Sequence, residues 1–204
     1  MRPRLFLDLD RTLFRTSEFD QAKWPLVAAR YPQIDAAWEQ TRQSDFYVTD
    51  AASGMYYYDF LAHVRALALP EDEVIHLLQT SMLGDGRLEY KGVSELVAWA
   101  RTATDLAVLT YGPVDYQLLK ANLCPSLRGV EIITTLQPKH HFFATLLAEQ
   151  PGGEVWMVDD KSIGAELPAG VRFIQAAGYN DLPVPEAAAW PVAHTVSSIR
   201  QLIS

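Results

Sequence analysis

Two aspartates spaced by one residue, Asp8 and Asp10, stand directly after the apolar run Leu5 to Leu7, and Thr12 follows two residues later. A short continuous apolar run reads as a buried parallel strand. Asp8 then falls at the carboxyl end of that strand and Asp10 in the loop beyond it. In open α/β sheets ligands bind at the carboxyl ends of strands. Two like charges this close repel, so the pair requires a cation or a proton. Further along, Thr110 ends the run Leu106 to Leu109, Lys139 opens a helix after Pro138, and Asp159-Asp160 ends the run Val155 to Val158. On a doubly wound sheet these strand ends converge on one crevice. The inventory there is four carboxylates, one hydroxyl and one ammonium. Carboxylates with water suit Mg²⁺, a hard cation that prefers oxygen. An acid cluster around Mg²⁺ beside a lysine suits phosphate, because metal and lysine offset its charge.

The elements that must position these residues follow from periodicity. After Phe14 the pattern turns helical and contains no convincing strand up to about residue 87. Ser17 with Asp20 three residues on suggests a helix start, and Pro25 and Pro32 are expected to divide that segment. Residues 34–43 and 55–67 read as helices, the second with Phe60, Leu61, Val64 and Leu67 at helical spacing. Pro70 and the acids after it open another helix, which runs to about Met82. From Tyr90 onward helices alternate with the strands 105–110, 130–134, 155–158 and 171–174, and a last helix covers about 197–202. This alternation argues a parallel sheet with right-handed crossovers. The expected architecture is α/β: a doubly wound, Rossmann-like parallel sheet of five central strands. Residues 1–14 and 88–204 form the catalytic core, and 15–87 form an all-helical cap over the active edge.

Composition bounds the partners. The 204 residues are 49% hydrophobic and 21% charged, a soluble globular balance. The formal net charge of -8 argues against binding nucleic acid or anionic membrane. A small phosphorylated substrate held by a local positive site remains compatible with it. Cys124 is the only cysteine, so no intramolecular disulfide can form, and a reducing, cytoplasmic location is the default. The N-terminus lacks the apolar segment of a secretory signal, and no run is long enough for a spanning helix. Nothing in the sequence speaks to oligomeric state.

Asp8-Leu9-Asp10-Arg11-Thr12, Thr110, Lys139 and Asp159-Asp160 together resemble, in order, the four motifs of the haloacid dehalogenase-like superfamily. The insert after the first strand resembles the cap of one large branch of it. The resemblance implies roles. Asp8 would be the nucleophile, forming an aspartyl-phosphate. Asp10 would be the general acid and base, with a carboxyl pKa raised by the nearby Asp8. Mg²⁺ would be held by Asp8, the backbone carbonyl of Asp10, Asp160 and, as outer or second ligand, Asp159. Thr110 and the backbone N–H of Tyr111 would hold phosphoryl oxygens, and Lys139 would bridge Asp8 and the phosphate. Family members that cleave carbon–halogen bonds do not need the second aspartate, so Asp10 favours phosphoryl chemistry. Arg11 stands where the family often has Gly, and its side chain must either avoid the phosphate or contribute to binding it. Lys161 directly follows the acid pair.

Each motif also has a plainer reading. The acid pairs can cap loops or helices, Thr110 can be an ordinary β-branched strand residue, and Lys139 an exposed first-turn lysine. A lysine at a helix N-terminus opposes the helix dipole, which favours a role outside the helix. His140 and His141 are adjacent on a helix and so do not share a metal. Tyr56, Tyr57, Tyr58 and Phe60 either pack within the insert or line the substrate cleft. The functional expectation is a Mg²⁺-dependent phosphomonoester hydrolase acting on a small phosphometabolite. The alternatives are a phosphotransferase or mutase on the same scaffold, and a non-catalytic phosphate-binding regulatory module.

Overall fold

The computed structural model describes residues 2–51, 54–84, 86–180, 182–185, 187 and 189–203. The sheet is centred on β1 (Arg4–Leu7), which pairs in parallel with β4 (Asp105–Tyr111) on one side and β6 (Val155–Asp159) on the other. Beyond β4 lies β5 (Glu131–Thr135); beyond β6 lie β7 (Val171–Ala176) and the short β8 (Val192–Ala193). The spatial order is β5-β4-β1-β6-β7-β8, and all these pairs are parallel. Among the described residues the sheet therefore has six strands where periodicity predicts five. The extra one, β8, is two residues long and too short to show a pattern. The order reverses direction between β1 and β6, which is the point where α/β sheets open a crevice.

Alternation along β1 explains why its apolar run is continuous. Leu5 and Leu7 point to one face, Phe6 to the other, and all three are buried. Leu5 and Leu7 join Val108, Val158 and Ile174 in the larger core. Phe6 joins Ala107, Leu109, Met157 and Phe173 in the smaller one, closed by Phe143 and Leu146 of α7 (Lys139–Glu149). Helices α5 (Val93–Ala103), α6 (Val114–Asn122) and α8 (Val196–Ile203) contribute Val97, Leu119 and Ile199 to the larger core.

The insert departs from the all-helical expectation. It contains α1 (Thr16–Arg30), α2 (Ala36–Arg42), α3 (Phe60–Ala66) and α4 (Glu71–Met82), but also an antiparallel hairpin, β2 (Tyr47–Thr49) with β3 (Tyr56–Tyr58). The helix read over 55–67 is thus two elements. Three consecutive tyrosines favour a strand, and Asp59 starts the helix afresh by accepting the Ala62 N–H at 2.9 Å. Pro25 does not divide α1, which is one helix flanked by Arg15 rather than capped by Ser17. Trp24, Phe60, Val64, Val74 and Leu78 of the insert belong to the same core as Leu5 and Leu7. Among the described residues no helix is long and apolar enough to cross a membrane.

Candidate active site

The carboxyl ends of β1, β4 and β6 and the first turn of α7 meet at one cavity of about 240 Å³, lined by Asp8, Asp10, Arg11, Thr110, Tyr111, Lys139, Asp159 and Asp160. Every residue singled out in the sequence for phosphate or metal lies on its wall.

Lys139 is the hub. It is buried, and its ammonium lies 2.5 Å from Asp8 Oδ1 and 2.6 Å from Asp159 Oδ2. An ammonium at the start of α7 opposes the helix dipole, and these two carboxylates offset that cost. Burial pushes the Lys139 pKa down, but the charges of Asp159 and Asp8 outweigh it and hold the pKa above its ordinary value. The carboxylates are less well compensated. Burial, with repulsion from Asp159 and Asp10, lifts the Asp8 pKa to about 7 despite Lys139. Burial and the charges of Asp8 and Asp159 lift Asp160 to about 8, which Lys161 only partly opposes. Oxygens of Asp8, Asp159 and Asp160 lie within 4.8 Å of one another. Three crowded carboxylates, two of them hydrogen-bonded to Lys139 and the third only partly offset by Lys161, suit a hard divalent cation such as Mg²⁺.

Asp10 behaves differently from expectation. Its carboxylate is not in that cluster. It accepts from Thr16 Oγ1 at 2.8 Å and from the buried ammonium of Lys120 at 2.5 Å. Burial alone raises its pKa, but Lys120, Thr16 and Gln117 more than reverse this, so the net shift is downward, not upward. Lys120 is distant in sequence and sits in an ordinary amphipathic helix, so no local signal marks it.

Thr110 is buried, and its hydroxyl donates to Gln117 Oε1 at 3.1 Å, while Gln117 Nε2 donates to the Tyr111 carbonyl at 2.9 Å. Gln117 thereby fixes the turn after β4. The φ of Gly112, +143°, disfavours any side chain, and a Cβ there would also lie 2.4 Å from Gln117 Nε2 and displace that amide. Arg11 has φ 58°, a left-handed conformation that disfavours side chains. That geometry is the physical reason for a glycine preference at this turn. The turn is pinned by Asn180, which donates to the Arg11 carbonyl at 2.7 Å, and by the Tyr179 hydroxyl, which donates to the Thr12 carbonyl at 3.0 Å. Lys161 turns its ammonium over the Tyr111 ring, 5.9 Å from the centroid, and its backbone N–H donates to Asp159 Oδ1 at 2.8 Å. His140 lines the cavity, while His141 is exposed.

No protein-family model matches the sequence, and no curated protein does. Solved structures match over the whole chain. A haloacid dehalogenase-like hydrolase from Burkholderia xenovorans superposes with a TM-score of 0.67 at 16% identity, covering 99% of this chain and 97% of that one. The HAD-hydrolase YfnB from Bacillus subtilis, solved bound to magnesium, gives 0.60 at 14% identity, with both chains fully covered. CbbY from Rhodobacter sphaeroides, solved with xylulose-(1,5)bisphosphate, gives 0.58 at 16% identity over 97% and 96% of the two chains. With its central strand order and its acid-bearing strand ends, this chain has the fold of the haloacid dehalogenase-like hydrolases.

Proposed function

We propose that the protein is a Mg²⁺-dependent hydrolase of a small phosphomonoester, working through a phosphorylated Asp8. The observation that carries this reading is the ion-pair geometry of Lys139, which ties together Asp8 of β1 and Asp159 of β6 within one buried cluster. Asp8, Asp159 and Asp160 are the side chains that would hold the cation, with the Asp10 carbonyl as the further ligand the motif implies. When bound, Mg²⁺ supplies positive charge that offsets the carboxylates and the phosphoryl oxygens together.

The chain's own residues account for the rest. An Asp8 carboxylate oxygen attacks phosphorus, the bond from phosphorus to the leaving oxygen breaks, and that oxygen takes a proton from Asp10. In the second half, Asp10 takes a proton from water as the water oxygen bonds to phosphorus. The bond from phosphorus to Asp8 then breaks, which frees phosphate and restores the carboxylate. Lys139 holds Asp8 in line and meets charge developing on the phosphoryl oxygens. Thr110 and the N–H of Tyr111 would donate to those oxygens; for Thr110 this means exchanging Gln117 as acceptor. The ion pair with Lys120 favours ionised Asp10, the form needed in the second half. For the first half Asp10 must exchange that ammonium for a proton. Arg11, which lines the same cavity, would meet the substrate.

Two measurements test this. Phosphate release from acetyl phosphate should require Mg²⁺ and stop with a chelator. Heavy-oxygen water then separates phosphoryl from carbon–halogen chemistry. Attack of water on phosphorus places the heavy oxygen in the released phosphate, whereas hydrolysis of an alkyl ester of Asp8 places it in the protein. Transfer of the phosphoryl group to a sugar acceptor in place of water would favour the phosphotransferase alternative.

A further inference from the structure

Three tyrosines line the cavity beside the acid cluster: Tyr47 and Tyr56 of the hairpin, and Tyr111 at the end of β4. An adjoining cavity of about 150 Å³ is lined by all three as well, together with Asp10 and Lys161. Tyr56 is 64% exposed and Tyr47 44%. Large rings left this open inside a cleft are uncovered apolar surface next to a reactive centre.

The rings are held rather than loose. Tyr56 and Tyr58 share one face of β3 by strand alternation, and the Tyr47 ring packs against both, with centroids 5.5 and 5.8 Å away. Tyr58 anchors the row from inside. It is buried, its hydroxyl lies 2.8 Å from His63 Nδ1, and His63 Nε2 lies 2.7 Å from Glu39 Oε2. His63 in turn stacks on Phe46 at 4.0 Å and packs against Trp24 at 4.5 Å. A buried Glu39–His63–Tyr58 chain thus fixes the hairpin at one end and leaves Tyr56 presented at the other. Ordering these rings before a ligand arrives lowers the entropy cost of binding.

We propose that Tyr47, Tyr56 and Tyr111 form a ring-binding subsite, and that the phosphoryl group handled at Asp8 is carried on a flat, uncharged aromatic ring. The proposal rests on the phosphatase reading for the phosphoryl end of the substrate. Charge selects the class. A tyrosine-lined pocket also suits a cationic headgroup, but Lys161 already lies over the Tyr111 face and Arg11 lines the same cavity. A second cation at the Tyr111 ring meets the like charge of Lys161, although Glu166 also lines this cavity. Met55, Ile163 and Leu167 add apolar surface beside the rings, with His140 and Glu166 as further polar groups of the same wall.

The test is calorimetric binding of phosphonates, which cannot be hydrolysed, to the full chain with Mg²⁺. Phenylphosphonate should bind about tenfold more tightly than methylphosphonate, and aminoethylphosphonate no more tightly than methylphosphonate. The phenyl preference should fall to about twofold or less in Tyr56→Ala and persist in Tyr56→Phe. Equal affinity for phenyl and methyl compounds in the wild-type protein, or tighter binding of the aminoethyl compound, overturns the proposal even if the alanine variant fails to fold. Hydrolysis of acetyl phosphate without a phenyl preference removes the subsite and leaves the phosphatase reading standing. A phenyl preference without that hydrolysis does the reverse.

Discussion

The carboxylate of Asp10 lies 2.5 Å from the ammonium of Lys120, which is almost wholly buried on α6. The pair ties the loop after β1 to a helix of the core, and it sets the charge of the residue assigned to proton transfer.

Replacing Lys120 with Met leaves Asp10 without its main counter-charge. The Asp10 pKa, held down chiefly by Lys120 once burial is overcome, should rise. The limb of the pH–rate profile that reports Asp10 should move to higher pH by about one unit or more. Stability should fall by about 2 kcal/mol, less than for a fully buried pair because Asp10 keeps partial access to water. Adding Asp10→Asn should recover most of that stability. An unmoved pH profile in Lys120→Met contradicts the assignment.

Arg11→Gly removes a side chain from a backbone at φ 58°. Relief of the left-handed strain, less the added chain entropy of glycine, should stabilise the protein by about 0.5–1 kcal/mol. Thermal unfolding should show this as a Tm rise of about 2 °C. If the Arg11 side chain meets the substrate, KM rises in the same variant while Tm improves. A fall in Tm would contradict the strain argument.

Asp8 and Asp160 titrate at about 7 and about 8 in the folded chain, against an ordinary 3.8. For carboxyls with raised pKa values, the contribution to stability is full below about pH 4 and is lost as pH rises through the folded values. Metal-free protein should therefore lose Tm between pH 5 and pH 8, apart from other groups. Mg²⁺ at one fixed concentration, about a hundredfold its Kd at pH 8, should restore roughly 5 °C or more at pH 8 and much less at pH 5, where its Kd is weaker, read by differential scanning fluorimetry. Equal Mg²⁺ effects at both pH values would contradict the excess-charge account of the cluster.

The parts legible in the sequence are those written in local pattern. Asp8, Thr110, Lys139 and Asp159 each sit at the end of an apolar run or the start of a helix, and one strand order brings all of them together. Lys120 and Asn180 are not legible, because each acts on a residue that only the tertiary fold brings near; Gln117 is local to Thr110 and Tyr111 but has no motif to mark it. The Asp10 pKa departs from the expectation for the same reason: sequence shows Asp8 two residues away and hides Lys120. The hairpin was missed because Phe60, Val64 and Leu67 carry a helical period that extends backward over Tyr56–Tyr58 until Asp59 interrupts it.

The proposed chemistry passes through a covalent bond between an Asp8 carboxylate oxygen and phosphorus. The direct measurement is rapid acid quench during turnover of acetyl phosphate with Mg²⁺, followed by borohydride reduction and peptide mass spectrometry. An aspartyl-phosphate is reduced to homoserine, so homoserine should appear at position 8 and at no other aspartate, and should vanish when Mg²⁺ is chelated. Sustained phosphate release with unmodified Asp8 at every quench time would contradict the account.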